Sequence, residues 1–461
     1  MVEKESIRRK MFIRRWLKEN HPRTFRGGVH PPDCKSITQD KKIIQAPLPE
    51  TVYVLTAQGI GTPSRPIVKK GDTVEKGQVI AEATTLISSY IHAPISGKVK
   101  EITFLPHPVT GARTHAIVIK RCDDDEWTNG INESVHINAL SPDDIRKQIK
   151  NAGIVGMGGA SFPTHVKLSL PPGKTIDTVI LNGAECEPYL TCDYRQMIER
   201  TQEIIEGLRI IMKCLSVNNA YIGVEANKMA AYEKIISAVN DDPNIKVALL
   251  KVKYPQGAEH QLIKAITGRE FKPTQLPLEA GCTVYNVSTT YAIWEAIRWK
   301  RPLIERVVTI TGDGIENPGN FIVRVGTPIE DLLSMVGLKK GVNKVIFGGP
   351  MMGIAQQSIS GVCTIKGTGG ILVTRGAETW EPRACIRCGK CINACPYGLN
   401  PSELSILCEA QKFQQAMEER NLMECKECGC CTFICTSKRP IVHLVKTAKF
   451  DLDRQKKRIQ A

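Results

Sequence analysis

No stretch of this chain approaches the ~18 consecutive apolar residues that a membrane-spanning helix requires, so no part of it is expected to cross a bilayer. The basic opening residues are followed by no apolar core of the kind a secretory signal carries, and export is not expected. Also missing is any motif that reads nucleic-acid bases, which matters because the net charge is +15. That excess is not spread over a folded face. Residues 1–26 carry nine Lys and Arg against three Glu, and residues 437–461 carry eight against two Asp, so the tails hold 12 of the 15 charges. Nucleic acid is therefore not an expected partner. Basic tails on a balanced body suit an anionic membrane surface or an acidic partner. Apolar residues are not lacking: at 42% of 461 they are ample for packed cores, which excludes a disordered chain and predicts three or four domains.

The chain also holds one cysteine pattern written twice. Cys385, Cys388, Cys391 and Cys395 follow C-x2-C-x2-C-x3-C, and Cys425, Cys428, Cys431 and Cys435 repeat it after a helical-looking spacer. This is the bacterial ferredoxin run, in which three thiolates curl around one [4Fe–4S] cube and the fourth cysteine ligates the other. The expected sets are crossed: Cys385, Cys388, Cys391 and Cys435 around one cube, and Cys425, Cys428, Cys431 and Cys395 around the other. Such a pair of clusters moves single electrons. Tetrahedral zinc would leave the third cysteine of each triplet idle, and a disulfide framework belongs to short secreted chains. Thr436 stands where Pro396 stands in the first run, a position that supplies no ligand. Cys430, beside Cys431, opens a second register; the one that repeats the first run is adopted. Cys34, Cys122, Cys186, Cys192, Cys214, Cys282, Cys363 and Cys408 are scattered, and most read as buried small hydrophobes. Free thiols and no export signal point to the cytoplasm.

Residues 1–28 form a basic extension. Ile7, Met11, Trp16 and Leu17 recur there at near-helical spacing with Arg8, Arg14, Arg15 and Lys18 between them, as in an interfacial helix or a short helix packed on this protein or a partner. Residues 29–125 read as short strands with glycine turns, and resemble the biotinyl/lipoyl barrel-sandwich hybrid. Carrier domains of that family present a lysine at a hairpin tip, but residues 84–89 hold none, so the module is structural. His92, His107 and His115 read as hydrogen-bonded or exposed rather than as metal ligands.

Residues 140–300 alternate helix and strand patterns, beginning with a helix that opens at Ser141 with Asp143 and Asp144 in its first turn. A glycine-rich loop follows at residues 156–167. Glycines let a backbone approach a ligand and aim N–H groups at phosphate, while a nearby lysine neutralises charge. The short strand 178–181 then ends in Asn182-Gly183-Ala184-Glu185-Cys186-Glu187-Pro188, at the carboxyl edge where open α/β sheets bind ligands. Tyr254-Pro255-Gln256-Gly257-Ala258-Glu259 and Tyr285-Asn286-Val287-Ser288-Thr289 each precede a helix.

Together these four segments resemble the flavin-bearing, NADH-binding subunit of respiratory complex I, which carries G-x-G-G-x-G-F-P-T-x-x-K, N-A-D-E-x-E-P, Y-x-x-G-E-E-T and N-N-V-E-T in that order. The resemblance implies that Gly156, Gly158, Gly159 and Lys167 cradle the FMN phosphate and that Asn182 and Asn286 help hold the flavin. It further implies that Phe162 stacks near the nicotinamide nucleotide while Glu187 and Glu259 hydrogen-bond it. Glu185 falls on an acidic position of the motif and counts among the cofactor-binding residues. Ala184, Ala258 and Tyr285 replace the family's Asp, Glu and Asn, which alters part of the flavin and NAD(H) contacts.

Residues 305–375 read as a β-rich unit that resembles the SLBB-type β-grasp module. Residues 376–445 form the double ferredoxin-type domain and 446–461 a basic tail. The expected fold class is thus multidomain, α+β with α/β. This order, opened by Phe25-Arg26-Gly27-Gly28-Val29-His30-Pro31-Pro32, resembles the C subunit of the Rnf (Rsx) electron-transport complexes from Phe25 to about Leu444. The resemblance implies electron exchange between NAD(H) and ferredoxin coupled to Na+ or H+ translocation. FMN and two [4Fe–4S] clusters would be the cofactors, and NAD(H) the substrate. A flavin suits this role because it can pass on singly the electrons that NADH delivers in pairs. The implied setting is peripheral, on the cytoplasmic side of the cell membrane, beside membrane-embedded and iron–sulfur partner proteins. Two alternatives stand beside it: the flavin subunit of a soluble NAD-linked hydrogenase or formate dehydrogenase, which normally lacks the amino-terminal module, and a two-cluster scaffold without flavin activity.

Overall fold

The computed structural model describes residues 21–239, 242–376 and 381–460. The amphipathic pattern at Ile7, Met11, Trp16 and Leu17 lies outside them. Before the first domain, β1 (Ile43–Gln45) is a short strand reached by an extended arm.

The barrel-sandwich unit contains β2 (Thr51–Leu55), β3 (Arg65–Pro66), β4 (Thr73–Val74), β5 (Val79–Glu82), β6 (Ile91–His92), β7 (Gly97–Pro106) and β8 (Arg113–Arg121). They form a four-stranded sheet, β2-β8-β7-β4, and a three-stranded sheet, β3-β5-β6. Strand alternation turns Val52, Val54, Ile80, Ile91, Ile117 and Ile119 into a shared core. His107 Nδ1 accepts from the amides of Val109 and Thr110 in a turn, at 3.2 and 3.3 Å, and the His115 ring lies 4.1 Å from that of Phe104. His92 is buried, and desolvation lowers its pKa to about 3.

The second unit is α/β. Its elements are α1 (Pro142–Asn151), α2 (Thr164–Lys167), β9 (Thr178–Gly183), α3 (Cys192–Glu199), α4 (Thr201–Leu215), β10 (Ala220–Glu225), α5 (Met229–Val239), β11 (Ile245–Leu250), α6 (Glu259–Thr267), β12 (Cys282–Asn286) and α7 (Val287–Trp299). Helix α1 opens at Ser141 as its sequence predicts, and Ser141 caps it in a capping box with Asp144. The sheet runs β11-β10-β9-β12 with every pairing parallel, so β9 and β12 end on the same edge, at Asn182–Gly183 and Asn286. Ile149, Leu208, Ile211, Ile293 and Ile297 cover one face, and Leu262, Ile263 and Ile266 of α6 cover the other.

The third unit comprises β13 (Glu305–Thr311), β14 (Gly319–Arg324), α8 (Ile329–Val336), β15 (Lys344–Phe347), β16 (Ile354–Ala355) and β17 (Gly370–Thr374). Its six-stranded sheet, β1-β14-β13-β17-β15-β16, takes its first strand from the arm. Residues 29–46 therefore lie apart from the barrel: part crosses the second unit and part completes the third. The fourth unit packs α10 (Pro401–Glu409), α11 (Phe413–Arg420) and α13 (Ile441–Gln460) around Leu404, Leu422, Val445 and Leu452, while the short helices α9 (Lys390–Ala394) and α12 (Cys430–Ile434) meet Ile441 of α13 through Cys391 and Cys431. Among the described residues, no helix is long and apolar enough to cross a membrane.

Candidate flavin and cluster sites

The glycine loop is closed at its base by the Gly156 amide donating to the Phe162 carbonyl at 2.8 Å and by Thr164 donating to Ile154 at 3.0 Å. Met157 N–H donates to Thr289 Oγ1 at 2.8 Å, tying the loop to the start of α7. Its tip, residues 158–160, is exposed, and the amides of Gly158 and Gly159 find no acceptor among the described residues. A Cβ at Gly158 would lie 2.9 Å from that of Asn286, so any larger residue would force the loop off β12. Gly159 faces open space. Phe162 is half-buried at the loop's far end.

Lys167, the last residue of α2, donates from Nζ to the Val284 carbonyl at 2.6 Å and pairs with Glu259 Oε1 at 2.9 Å. Asn182 Nδ2 donates to the Gly257 carbonyl at 2.8 Å, which joins the ends of β9 and the turn before α6. Asn286 caps α7 through Oδ1 and donates from Nδ2 to Asp193 at 2.6 Å; Ser288 Oγ donates to the same carboxylate at 2.8 Å. Four of the sequence segments thus converge on one sheet edge, as parallel strand order requires.

The two acidic residues of the β9 end are held differently. Glu185 accepts the Asp193 and Tyr194 amides at 2.8 and 3.1 Å, against the first turn of α3. Glu187 turns to the third unit, where it accepts the Met351 and Met352 amides at 3.2 and 2.9 Å. Burial pushes both carboxyls up to about 7; nearby Lys35 opposes the shift in each case. Lys35 reaches from the arm to donate to the carbonyls of Glu187, at 2.8 Å, and Leu190. Lys228, in a buried pair with Glu225 at 2.8 Å, donates to the Ala184 carbonyl. These two lysines pin the loop, and neither was legible as a site residue, because each acts over a long sequence separation. Asp193 also went unread; its signal was an acid in the first turn after the Glu185 segment.

The cluster loops repeat each other at a spacing of 40 residues. Arg387 and Glu427 have φ of 54° and 56°, and Gly389 and Gly429, which precede α9 and α12, have 72° and 84°. Cys395 and Cys435 share φ −67° and ψ 115°. In this register Cys431 corresponds to Cys391, whereas Cys430 corresponds to Lys390. Cys385, Cys388, Cys391 and Cys435 line one cavity, with about 360 Å³ of empty space including open solvent. Cys395, Cys425, Cys428 and Cys431, joined by Cys430, line a second of about 400 Å³. Each triplet shares its cavity with the fourth cysteine of the other run. Among the described residues, no three His, Cys, Asp or Glu side chains gather as ligands of a single metal ion. Cavities ringed by separated thiols fit a cube instead. Thr436, in place of proline, sets its hydroxyl 3.7 Å from Cys388 Sγ.

The second cavity lies against the α/β unit. Gly28 N–H donates to Ala394 at 2.9 Å, Val29 and Tyr254 exchange both backbone bonds at 2.8 and 2.9 Å, and Gln261 Nε2 donates to Pro396 at 3.4 Å. Val29, Tyr254, Ala394 and Cys430 form a small core there, in contact with Cys186 and Cys428. Cys430 Sγ points at the Tyr254 carbonyl, 3.8 Å away. The first cavity opens to the surface, with Cys388 exposed.

An exposed glycine tip at a parallel-sheet edge, one cation at its end and two thiol-ringed cavities beyond define a flavin and iron–sulfur electron-transfer protein. Family models match the "Nuo51 FMN-binding domain" over residues 149–295, the "RnfC Barrel sandwich hybrid domain" over 23–125, the SLBB domain over 307–355 and a 4Fe-4S binding domain over 379–400. In Clostridium ljungdahlii, the C subunit of a "Proton-translocating ferredoxin:NAD(+) oxidoreductase complex" is 46% identical over 93% of both chains. The C subunit of the corresponding "Na(+)-translocating" complex of Acetobacterium woodii is 41% identical over 94% of this chain and 98% of its own. That of the "Ion-translocating oxidoreductase complex" of Rhodobacter capsulatus is 40% identical over 83% and 74%. The chain belongs to the family of Rnf-complex C subunits. The amino-terminal module separates it from the hydrogenase alternative.

Proposed function

We propose that the chain is the NAD(H)-facing member of an Rnf complex and passes electrons between NAD(H), FMN and two [4Fe–4S] clusters. The observation that carries this reading is the seam at Val29, Tyr254, Ala394 and Cys430, which joins the glycine-loop domain to the second thiol cavity. The glycine loop fits FMN: Gly156, Gly158 and Gly159 would let the phosphate approach, Lys167 would neutralise it, and Asn182 and Asn286 would hold the ring. When bound, FMN supplies the exchange between paired and single electrons. Phe162 and Glu259 stand at the open side and would contact the nicotinamide nucleotide, with Glu185 braced behind them. Glu187 is assigned to the same surface, through the Met351–Met352 loop it organises.

Cys395, Cys425, Cys428 and Cys431 would hold the inner cluster, and Cys385, Cys388, Cys391 and Cys435 the outer one. That order follows from which cavity faces the α/β unit. The reading extends to a peripheral position on the cytoplasmic side of the membrane, with electrons reaching ferredoxin through membrane-embedded and iron–sulfur partner proteins. Support for surface attachment comes from α13, where Arg454, Lys456 and Arg458 are exposed and Phe450 stands 63% exposed beneath Arg454. The coupling ion is Na+ or H+; the two relatives' names differ in it.

The test is an anaerobic titration of the purified protein with NADH, following flavin and cluster absorbance together. Bleaching of both is expected. Absence of stoichiometric FMN on denaturation, with no bleaching by NADH, would sink the proposal.

A further inference from the structure

The two cluster loops share ligand spacing and backbone shape, but one residue breaks their repeat at a ligand sulfur. At the spacing of 40 residues, Thr436 falls on Pro396 and Cys388 on Cys428. Thr436 Oγ1 lies 3.7 Å from Cys388 Sγ, a hydrogen-bonding distance for the large sulfur atom. Pro396 lines the inner cavity at the repeated place and has neither a hydroxyl nor an N–H to offer. Backbone donors serve both sides alike: the Glu427 amide donates to Cys425 Sγ at 3.4 Å and the Arg439 amide to Cys435 Sγ at 3.5 Å. Ser402 and Ser405 also line the outer cavity, but their hydroxyls donate to Asn400 Oδ1 at 2.6 Å and to the Ser402 carbonyl at 2.8 Å. The Thr436 hydroxyl is thus a side-chain donor to the outer thiols with no counterpart at its repeated position.

We propose that Thr436 tunes the outer cluster by donating a hydrogen bond to the Cys388 sulfur, so that the outer cluster is easier to reduce than the inner. The proposal rests on the reading of Cys385, Cys388, Cys391 and Cys435 as that cluster's ligands. A ligand sulfur is a thiolate with no proton to give, so between these two atoms the hydroxyl is the donor. Its bond draws negative charge off the sulfur, which matters more once the cluster carries an added electron. Charge and exposure act in the same direction. Cys388 is exposed, and Arg387 and Lys390 line the outer cavity where Glu427 and Cys430 stand in the inner loop. Leu399, Leu404, Val442 and Val445 wall the inner cavity and oppose added charge there. An electron shared between the two clusters therefore rests on the outer one, away from the α/β unit. No bond breaks, and Thr436 keeps its proton.

Three variants test this. Thr436→Val keeps the shape and removes the donor, whereas Thr436→Ser keeps the donor. Thr436→Pro copies the inner loop, and Cys435 already has the φ −67° and ψ 115° that Cys395 adopts before Pro396. The complete chain, with FMN and both clusters, is poised anaerobically over a series of potentials with mediator dyes and read by EPR. Two one-electron cluster steps are expected. Thr436 and Cys388 are both exposed, so water competes and the effect is moderate. Thr436→Val and Thr436→Pro should lower the higher step, cutting its reduced-to-oxidised ratio at fixed potential about three- to tenfold, where tenfold is about 59 mV for one electron. Thr436→Ser should stay within about twofold of the unaltered chain. The lower step and the iron content should hold. A higher step that stays put in both the Val and Pro variants overturns the proposal, as does a shift of the lower step instead, or a Ser variant that behaves like Val. Loss of iron in both Val and Pro variants overturns it too, because the hydroxyl would then retain the cluster rather than tune it. Poising needs no NADH. A chain with no cluster steps at all refutes the ligand assignment, whereas steps that ignore Thr436 refute this inference alone.

Discussion

Gly28→Ala tests the seam through which the α/β unit meets the inner cluster. Gly28 has φ +79°, a left-handed conformation that costs an alanine about 1–2 kcal/mol. A Cβ there would lie 2.6 Å from the Tyr254 carbonyl oxygen, 2.9 Å from Lys253 Cε and 3.0 Å from Phe25 Cζ. Lysine can yield, but the carbonyl is fixed by its bond from Val29 at 2.8 Å, so overpacking adds about 1–3 kcal/mol. The seam should weaken by about 2–5 kcal/mol in all. The assay is native-state hydrogen exchange at the Val29 and Tyr254 amides, each of which donates to the other residue's carbonyl. Even the lower figure accelerates their exchange by about 30-fold, since 1.4 kcal/mol is a factor of ten. Iron content and NADH reduction of the flavin should hold, while cluster bleaching by NADH slows. Exchange within about threefold of the unaltered protein would refute the steric reasoning.

Cys431→Ser should remove the inner cluster and about half the iron, whereas Cys430→Ser should keep both clusters, because the 40-residue repeat aligns Cys430 with Lys390 rather than with a ligand; iron analysis decides. Lys167→Ala should chiefly lose FMN, read as flavin released on denaturation, while stability changes by less than about 1 kcal/mol, since its ion pair is part-exposed. Glu259→Gln should slow flavin reduction by NADH in stopped flow and leave cluster spectra intact. Glu187→Gln should flatten a pH dependence. The carboxyl sits near 7 in the folded chain against an ordinary 4.5, so the folded state binds a proton that the unfolded state releases. Stability therefore falls as pH rises from about 4.5 to 7, at up to about 1.4 kcal/mol per unit, and the variant should lose that fall in melting curves.

The legible parts were those whose physics is local. Ser141 announced the start of α1, with Asp143 and Asp144 in its first turn, because a helix start is settled within four residues. The glycine loop was readable because exposed backbone aimed at a ligand needs small residues in a short run. Glu187 shows the limit. Its motif suggested a nucleotide contact, yet its carboxylate accepts two amides from a loop 164 residues downstream. Lys35 was invisible for the same reason: a lysine in an irregular arm gives no sign that it reaches carbonyls more than 150 residues away. The arm itself looked like the start of the barrel, since three residues of strand do not say which sheet they will complete.

The sequence by itself determined the chemistry of this protein. Repeated cysteine spacing is a covalent ruler, short enough to fix how many thiolates can close on one cube, and the four flavin-type segments carried the family in their order. The tertiary structure decided direction. The two loops have the same ligand spacing and closely similar backbone angles, so the ligand pattern does not say which cluster is inner and which outer. Only the packing of Gly28, Val29 and Tyr254 against Ala394 and Cys430 buries one cavity beside the α/β unit and leaves Ile386 and Cys388 at the surface.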